Sequence, residues 1–247
     1  MQIEGYLDLF VNVLASKLGD NKSIMKQTNM LVFKKLMQNI SPNKVLFFLK
    51  DNIKHRNSRV REETLNVFIA ALLTFPSNKF DLPQVTSYIA PALMDTKSRV
   101  RHAALEAFAV INQVLGPSNL QPLVSVVDKI ELQVGGEGVM AAVQARFARR
   151  QLPKLNPDGL VAYAISLHSI GSAKVNANLS PRGADVEWIL AAGLASDCPL
   201  SARSTPGVND SAANNTRHHL SAGKNRLPWE INKLTLETRE VMTERLL

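Results

Sequence analysis

The sequence predicts an all-α protein, an α-solenoid of stacked helical hairpins followed by a largely disordered C-terminal tail. Two observations predict the solenoid. Four segments share one register of apolar residues at helical spacing, and no segment alternates polar and apolar residues over the length of a strand. A third observation predicts the tail, because Ser, Ala, Asn, Gly and Pro dominate the chain beyond about residue 165.

The shared register places an aromatic residue eight positions after an apolar residue in each repeat. The repeats follow one another at intervals of about 40 residues, which is the period of HEAT-like helical hairpins. Hairpins of this class bury their apolar faces only against their neighbours. The apolar residues of the register are Met25, Val60, Val100 and Val139, and its aromatic residues are Phe33, Phe68, Phe108 and Phe147.

Each hairpin is expected to contain a first helix, a bend and a second helix. In the third hairpin, the first helix is predicted from Leu82 to Asp95, with a kink at Pro91 because proline removes a backbone donor. The second helix is predicted from Arg99 to Leu115, where a Gly-Pro pair ends it. The hairpins span roughly residues 2–40, 41–77, 80–117 and 118–155, with bends near 20–24, 55–59, 95–99 and 134–138.

Three segments follow from this pattern: a HEAT-repeat domain over 1–165, a disordered linker over 166–227 and a short amphipathic helix over 228–247. Within the linker, the apolar cluster 186–190 interrupts the polar sequence. The cluster is either a docking motif for another protein or a segment that folds back on the solenoid, and the sequence leaves both interpretations open.

The composition excludes several classes of function. The single cysteine, Cys198, rules out an intrachain disulfide and a zinc cluster built from thiolates. The sequence contains no motif typical of catalysis or phosphate binding, so we expect no enzyme, no cofactor and no metal site. The N-terminus lacks the basic region of a signal peptide, and no apolar stretch approaches the roughly 20 residues of a membrane span. We therefore expect a cytoplasmic protein that does not enter a membrane.

The charge is distributed unevenly. The net charge is +8, and all of the excess lies in residues 1–154, which hold 20 basic and 12 acidic side chains. The remaining residues are neutral, with 9 of each sign. Such an excess favours an acidic partner.

Basic residues cluster at the first three predicted bends. Equivalent bends of a stacked solenoid lie along one edge, so these cations are expected to form a continuous surface there. The fourth bend, 134–138, adds an acid and no cation. We call this surface the basic ridge, and its members are Lys22, Arg56, Arg59, Lys97 and Arg99.

A second set of charged residues has a structural interpretation. Asp20 lies six residues before Lys26, and Asp95 lies six residues before Arg101. An acid before the bend and a cation after it are typical of HEAT units, where such side chains tie neighbouring units together. We therefore predict inter-repeat pairs that involve Lys26, Arg61 and Arg101. Arg59 and Arg99 have no acid in register, which favours contact with a partner, although all these cations could simply be solvated surface residues.

The sequence resembles a TOG domain, most closely the TOG domains of the crescerin-type ciliary array proteins. Two segments carry the resemblance: DTKSRVRHAALEAFAVINQVLG, which begins at Asp95, and RFARRQLPKLNPDGLVAYAI, which begins at Arg146. The resemblance implies that the bends, including the five residues of the basic ridge, bind tubulin and that the protein regulates microtubule dynamics. It also implies a place on the cytoskeleton, in the cilium or at its base.

The sequence departs from this family in two respects. TOG domains contain six HEAT units, whereas four are visible here, so the domain is expected to be incomplete at its N-terminal side. The first bend of most family members presents a tryptophan, whereas Trp188 and Trp229 both lie beyond the repeats.

Two other functions compete with tubulin binding. A general HEAT scaffold would hold a peptide or helix of another protein and would not bind tubulin. Nucleic-acid binding is disfavoured, because the bends contain no Tyr, Trp or Phe to stack on bases.

Overall fold

The computed structural model describes residues 3–166 and 183–191. These residues belong to one compact unit, 1–200, and the second unit, 201–247, lies outside the described residues. The predicted helix over 228–247 and most of the predicted linker therefore also lie outside them.

Eight helices of the described chain form four antiparallel hairpins, which confirms the predicted solenoid. Each second helix packs against its neighbours, and the contact between the second and third hairpins is the most extensive. The first helices are α1 (Leu7–Ser16), α3 (Pro42–Leu49), α5 (Leu82–Ile89) and α7 (Gln121–Glu131). The second helices are α2 (Ser23–Asn39), α4 (Ser58–Thr74), α6 (Ser98–Leu115) and α8 (Val139–Ala148). Short 3-10 turns lie at Ile3–Tyr6, Lys50–Lys54, Ser77–Lys79, Ala90–Met94 and Pro117–Asn119.

The predicted first helix of the third hairpin is divided in two. Helix α5 ends at Ile89, and the chain continues as the 3-10 segment Ala90–Met94, which contains Pro91. The second hairpin makes the same change at Lys50–Lys54 without a proline. The change from α-helix to 3-10 helix before the bend therefore does not require a proline, and Pro91 is compatible with it.

The predicted register forms the centre of the core. The aromatic residues Phe33, Phe68 and Phe108 are at most 1% exposed. Val60, Val100 and Val139 are equally well covered, whereas Met25 and Phe147 are only half-buried. Both half-buried residues lie in the first or the fourth hairpin, which among the described residues has a neighbouring hairpin on one side only. Burying each of the fully covered valine and phenylalanine side chains stabilises the fold by about 1.5–3 kcal/mol.

Residues 154–162 form a small antiparallel hairpin, so the expectation of a chain without strands is wrong here. Its strands are β1 (Lys154–Leu155) and β2 (Val161–Ala162). Gly159, with a φ of 81°, allows the turn, and the Asp158 carboxylate accepts a hydrogen bond from the Leu160 N–H at 3.0 Å. Strands of two residues are too short to produce a recognisable alternation of polar and apolar residues.

The segment 151–166, which we call the strap, runs back across the second helices. The Gln27 side chain of α2 donates to Asp158 at 3.3 Å, and the Tyr163 hydroxyl donates to the Asn66 carbonyl oxygen of α4 at 2.7 Å. The N–H of Ile165 donates to the Glu106 carboxylate of α6 at 3.3 Å. The strap therefore covers the face of three successive second helices.

Residues Ala184–Ala191 form a ninth helix, α9, inside the segment that the sequence predicts as a disordered linker. That prediction is wrong for these residues, because α9 packs against α8 and α6. Val186 and Ile189 are buried, and Asp185 forms an ion pair with Arg149 at the end of α8. An isolated eight-residue helix is unstable in water, so tertiary contacts hold this one. Of the two interpretations of the cluster 186–190, the structure favours the segment that folds back.

None of the helices in the described ranges combines the length and the apolar character that spanning a lipid bilayer demands.

We predict that Gly136→Ala destabilises the fourth hairpin. A Cβ atom at this position would lie 2.2 Å from the backbone oxygen of Ile130. Such overpacking against backbone should lower the free energy of unfolding by about 1–3 kcal/mol. Urea denaturation measures the change. Gly5→Ala is the control, because a Cβ there meets no atom within 4 Å; equal stability of the two variants would contradict the prediction.

Candidate functional site

The first three bends share one hydrogen-bonded turn. Asp20, His55 and Asp95 occupy equivalent positions, each five residues before the first residue of the apolar register. Their side chains accept the backbone N–H two residues later, at 2.8 Å for Asp20, 3.0 Å for His55 and 2.8 Å for Asp95. The sequence did not reveal the role of His55, because an imidazole replaces the carboxylate there. Its six-residue spacing to Arg61 was the available signal.

The second hairpin is tied to the third through Arg61. Its guanidinium binds both carboxylate oxygens of Asp95, with N···O distances of 2.6 and 2.8 Å, and donates to the backbone oxygen of His55 at 2.7 Å. The two charged side chains are only 12% and 11% exposed. Arg61 therefore closes its own bend and holds the next one.

The other two pairs differ from those expected. Lys26 forms an ion pair with Glu63 of α4, not with Asp20, whose carboxylate instead accepts the Lys22 N–H. Arg101 donates to the backbone oxygen of Asp95 at 2.6 Å and does not bind its carboxylate, which Arg61 occupies. The six-residue spacing thus brings Arg61 and Arg101 to a backbone oxygen, whereas among the described residues the Lys26 side chain binds only Glu63 of the next hairpin.

Arg101 is 1% exposed and caps the C-terminal end of α9. Its Nε donates to the backbone oxygen of Trp188 at 3.0 Å, and its Nη2 donates to that of Ile189. The last carbonyl groups of a helix have no partner within the helix, so a buried guanidinium provides the missing donors. Burial lowers the pKa of Arg101, and the charge of Asp95 opposes this effect.

The five residues of the basic ridge fall into two groups. Lys22, Arg56 and Lys97 are exposed, and their side chains form no ion pair or hydrogen bond with any residue that the structure describes. Arg59 donates to the Asn21 side chain, and Arg99 lies 3.3 Å from a carboxylate oxygen of Glu62. The expectation that Arg99 lacks a neighbouring acid is therefore wrong. Burial raises the pKa of Glu62, and the charge of Arg99 opposes this rise.

Direct contacts connect the bends in chain order. Gly19 of the first bend packs against Asn57 of the second, close enough that a Cβ would lie 2.9 Å from the Asn57 side chain. The Arg61–Asp95 pair joins the second bend to the third. The indole N–H of Trp188 donates to the Leu93 backbone oxygen just before the third bend at 2.9 Å, and its ring lies against Gly138 of the fourth. The cations of the ridge consequently stand on contiguous bends.

Comparisons with known proteins agree with this architecture. The human TOG array regulator of axonemal microtubules protein 1 is 44% identical over 237 residues, which cover 93% of this chain and 14% of the relative. The Caenorhabditis elegans crescerin-like protein che-12 is 34% identical, over 83% of this chain and 16% of the relative. A solved structure described as "Crescerin uses a TOG domain array to regulate microtubules in the primary cilium" matches with a TM-score of 0.63 and 47% identity, over 67% of each chain.

The chain belongs to the TOG-domain family. The resemblance of the sequence to TOG domains is thereby confirmed, although no protein-family model matches the chain. This TOG-domain chain spans about one seventh of the length of the human relative, of which it covers 14%.

A buried ion pair connects the third and fourth second helices of this TOG domain, and no spacing within one hairpin predicts it. Arg146 of α8 binds Glu106 of α6 at 2.7 and 3.3 Å, and both side chains are at most 1% exposed. The His102 ring lies beside them, with its Nε2 3.5 Å from Glu106, and stacks edge-on against Tyr163 at 4.5 Å. Burial alone would raise the pKa of Glu106, but His102 and Arg146 hold it below its ordinary value. Among the described residues, no group of three or more His, Cys, Asp or Glu could hold a metal ion.

We predict that Arg101→Met lowers the free energy of unfolding by about 3 kcal/mol, because three backbone oxygens lose a charged donor. The neighbouring Arg99→Met is the matched control and should change stability by less than about 0.5 kcal/mol, since Arg99 is 47% exposed. Both are measured by urea denaturation in a Trp229→Phe background, so that the fluorescence reports Trp188. Equal stability of the two variants, with an unchanged Trp188 spectrum, would contradict the capping role of Arg101.

A second prediction concerns the dependence of stability on pH. In the parent, the pKa of Glu106 lies below its ordinary value near 4.5, so the stability it provides is complete above that pH and is lost as the pH falls below it. Without Arg146, burial should raise this pKa, and the uncompensated carboxylate should destabilise the protein most at neutral pH. Arg146→Met should thus lower the free energy of unfolding by about 3–5 kcal/mol at pH 7 and by less at pH 5.

Urea denaturation at both pH values measures the change. The control is Glu106→Gln combined with Arg146→Met. Its free energy of unfolding should differ from that of the parent by no less at pH 5 than at pH 7. A difference that stays constant for Arg146→Met alone would show that Glu106 does not titrate as predicted.

Proposed function

We propose that this chain is a non-enzymatic tubulin-binding module that regulates microtubule dynamics and contacts tubulin through the basic ridge. One observation carries the proposal. Three exposed cations without a partner among the described residues, Lys22, Arg56 and Lys97, stand on consecutive bends that the same turn shapes. The names of the human and nematode relatives, which refer to axonemal microtubules and to crescerin, support the choice of partner.

Electrostatics gives these cations their role. Tubulin is strongly acidic, and a patch of one sign steers an oppositely charged partner and fixes its orientation. The cations need no rearrangement to meet an acidic surface, because they are already exposed on bends held by hydrogen bonds. Arg59 and Arg99 would also face the partner, but each would have to share its guanidinium with Asn21 or Glu62.

The position of the strap argues against the general scaffold. A scaffold that held a peptide or helix on its second helices would need that face to be open. Here the chain's own residues 151–166 occupy that surface, with contacts to Gln27, Asn66 and Glu106. The exposed bends are therefore a better candidate for the binding surface than the covered helices.

We further propose that the protein acts on the cytoplasmic side, on the microtubules of the cilium. The solved crescerin structure is described as regulating microtubules in the primary cilium, and the human relative is named for axonemal microtubules. The presence of further HEAT hairpins before the first one stays a prediction.

We predict that Arg56→Glu combined with Lys97→Glu weakens binding to soluble αβ-tubulin at least about tenfold, because like charges would then face each other across the interface. The affinity is measured by fluorescence anisotropy of labelled tubulin at several salt concentrations. The parent should bind less tightly as salt rises, and the variant should show a weaker dependence on salt.

Lys34→Glu combined with Lys35→Glu is the matched control. It changes the net charge by the same amount on exposed residues of α2, in the half of the helix that lies away from the bends. The control should bind like the parent. Equal losses in both variants would mean that net charge, and not the ridge, governs binding.

A further inference from the structure

The fourth bend, 132–138, has a different surface from the other three. Leu132 and Val134 are 86% and 98% exposed, whereas the first three bends present lysine or arginine. A bend of polar residues would serve equally well to connect α7 with α8. Two highly exposed aliphatic side chains on one short bend therefore call for an explanation in terms of a partner.

The backbone of this bend is fixed. Gly135 and Gly138 have φ angles of 80° and 98°, which favour glycine, and Gly136 lies too close to the Ile130 oxygen for any side chain. The Glu131 carboxylate accepts the N–H groups of Gly138 at 2.9 Å and Met140 at 2.6 Å, at the start of α8. The bend thus holds Leu132 and Val134 in a defined position, which lowers the entropy lost when a partner covers them.

The fourth bend continues the edge that carries the basic ridge. Trp188 joins it to the third bend, since its indole donates to Leu93 and its ring lies against Gly138. A partner seated on Lys97 of the third bend would extend onto the neighbouring bend. Continuity with the ridge therefore identifies the partner that would cover the two aliphatic side chains.

We infer that Leu132 and Val134 form an apolar contact for tubulin at the end of the basic ridge. The inference rests on the proposed function and adds a source of affinity to it. Exposed ion pairs contribute little to affinity on their own, whereas the removal of apolar surface from water is the dominant favourable term in most protein–protein association. The ridge supplies attraction and orientation, and Leu132 and Val134 of the fourth bend supply apolar area beside it.

The test compares tubulin affinities of the full chain and three double variants at low and high salt. Leu132→Ser with Val134→Ser should weaken binding about tenfold. The loss should be the same at both salt concentrations, because the lost contact is apolar. Arg56→Glu with Lys97→Glu should weaken binding mainly at low salt. Leu9→Ser with Val13→Ser removes the same pair of residue types from the exposed face of α1, where they are 65% and 54% exposed, and should bind like the parent.

The outcomes separate this inference from the proposed function. If the ridge variant loses affinity while the Leu132 and Val134 variant binds like the parent, the inference is overturned and the proposed function stands. If the parent does not bind tubulin, both are overturned. Equal losses in the α1 variant and the fourth-bend variant would show unspecific apolar adhesion and would also overturn the inference. All variants should melt like the parent, because the substituted side chains are exposed.

Discussion

One cation in the first turn of each of the first three second helices connects its hairpin to another element: Lys26 binds Glu63, Arg61 binds Asp95, and Arg101 binds the backbone of α9. Arg61 shows the principle most fully, because the same guanidinium binds the His55 backbone oxygen of its own bend and the Asp95 carboxylate of the next. Asp95 in turn accepts the Lys97 N–H, so that one carboxylate shapes its bend and anchors the preceding hairpin. Turn geometry and hairpin stacking are therefore coupled. A change in either would move the cations that the bends expose.

The series of pairs with carboxylates ends at Arg101, whose guanidinium donates only to backbone oxygens among the described residues. In the fourth hairpin, the Glu131 carboxylate accepts the N–H groups at the start of α8. Helix α9 supplies the acceptors instead, through the backbone oxygens of Trp188 and Ile189. A terminal repeat needs a structure that covers its exposed side. By its contacts, α9 is such a structure, and it belongs to the solenoid although it is distant in sequence.

The sequence predicted those parts of the fold that repeat. The spacing of Val60 and Phe68, found again at Val100 and Phe108, was sufficient for the hairpins and their bends, because each repeat supplied an independent observation of one pattern. The strap and α9 occur once, and elements of two and eight residues are too short for periodicity to detect. The pairing of Lys26 with Glu63 could not be predicted from the sequence either. It depends on the offset between stacked hairpins, which spacing within one hairpin does not contain.

The placement of the charges follows from the same pairs. Glu63, Asp95, Glu106 and Asp185 each bind a cation of a different element, so that these acids neutralise charge inside the solenoid. An acid used in this way cannot offset the lysines and arginines of the bends. Packing therefore decides where part of the net charge of +8 is exposed. The contacts that stabilise the hairpins leave Lys22, Arg56 and Lys97 without partners among the described residues. The same pairing of carboxylates with buried cations thus stabilises the solenoid and leaves the bend cations available for an acidic protein.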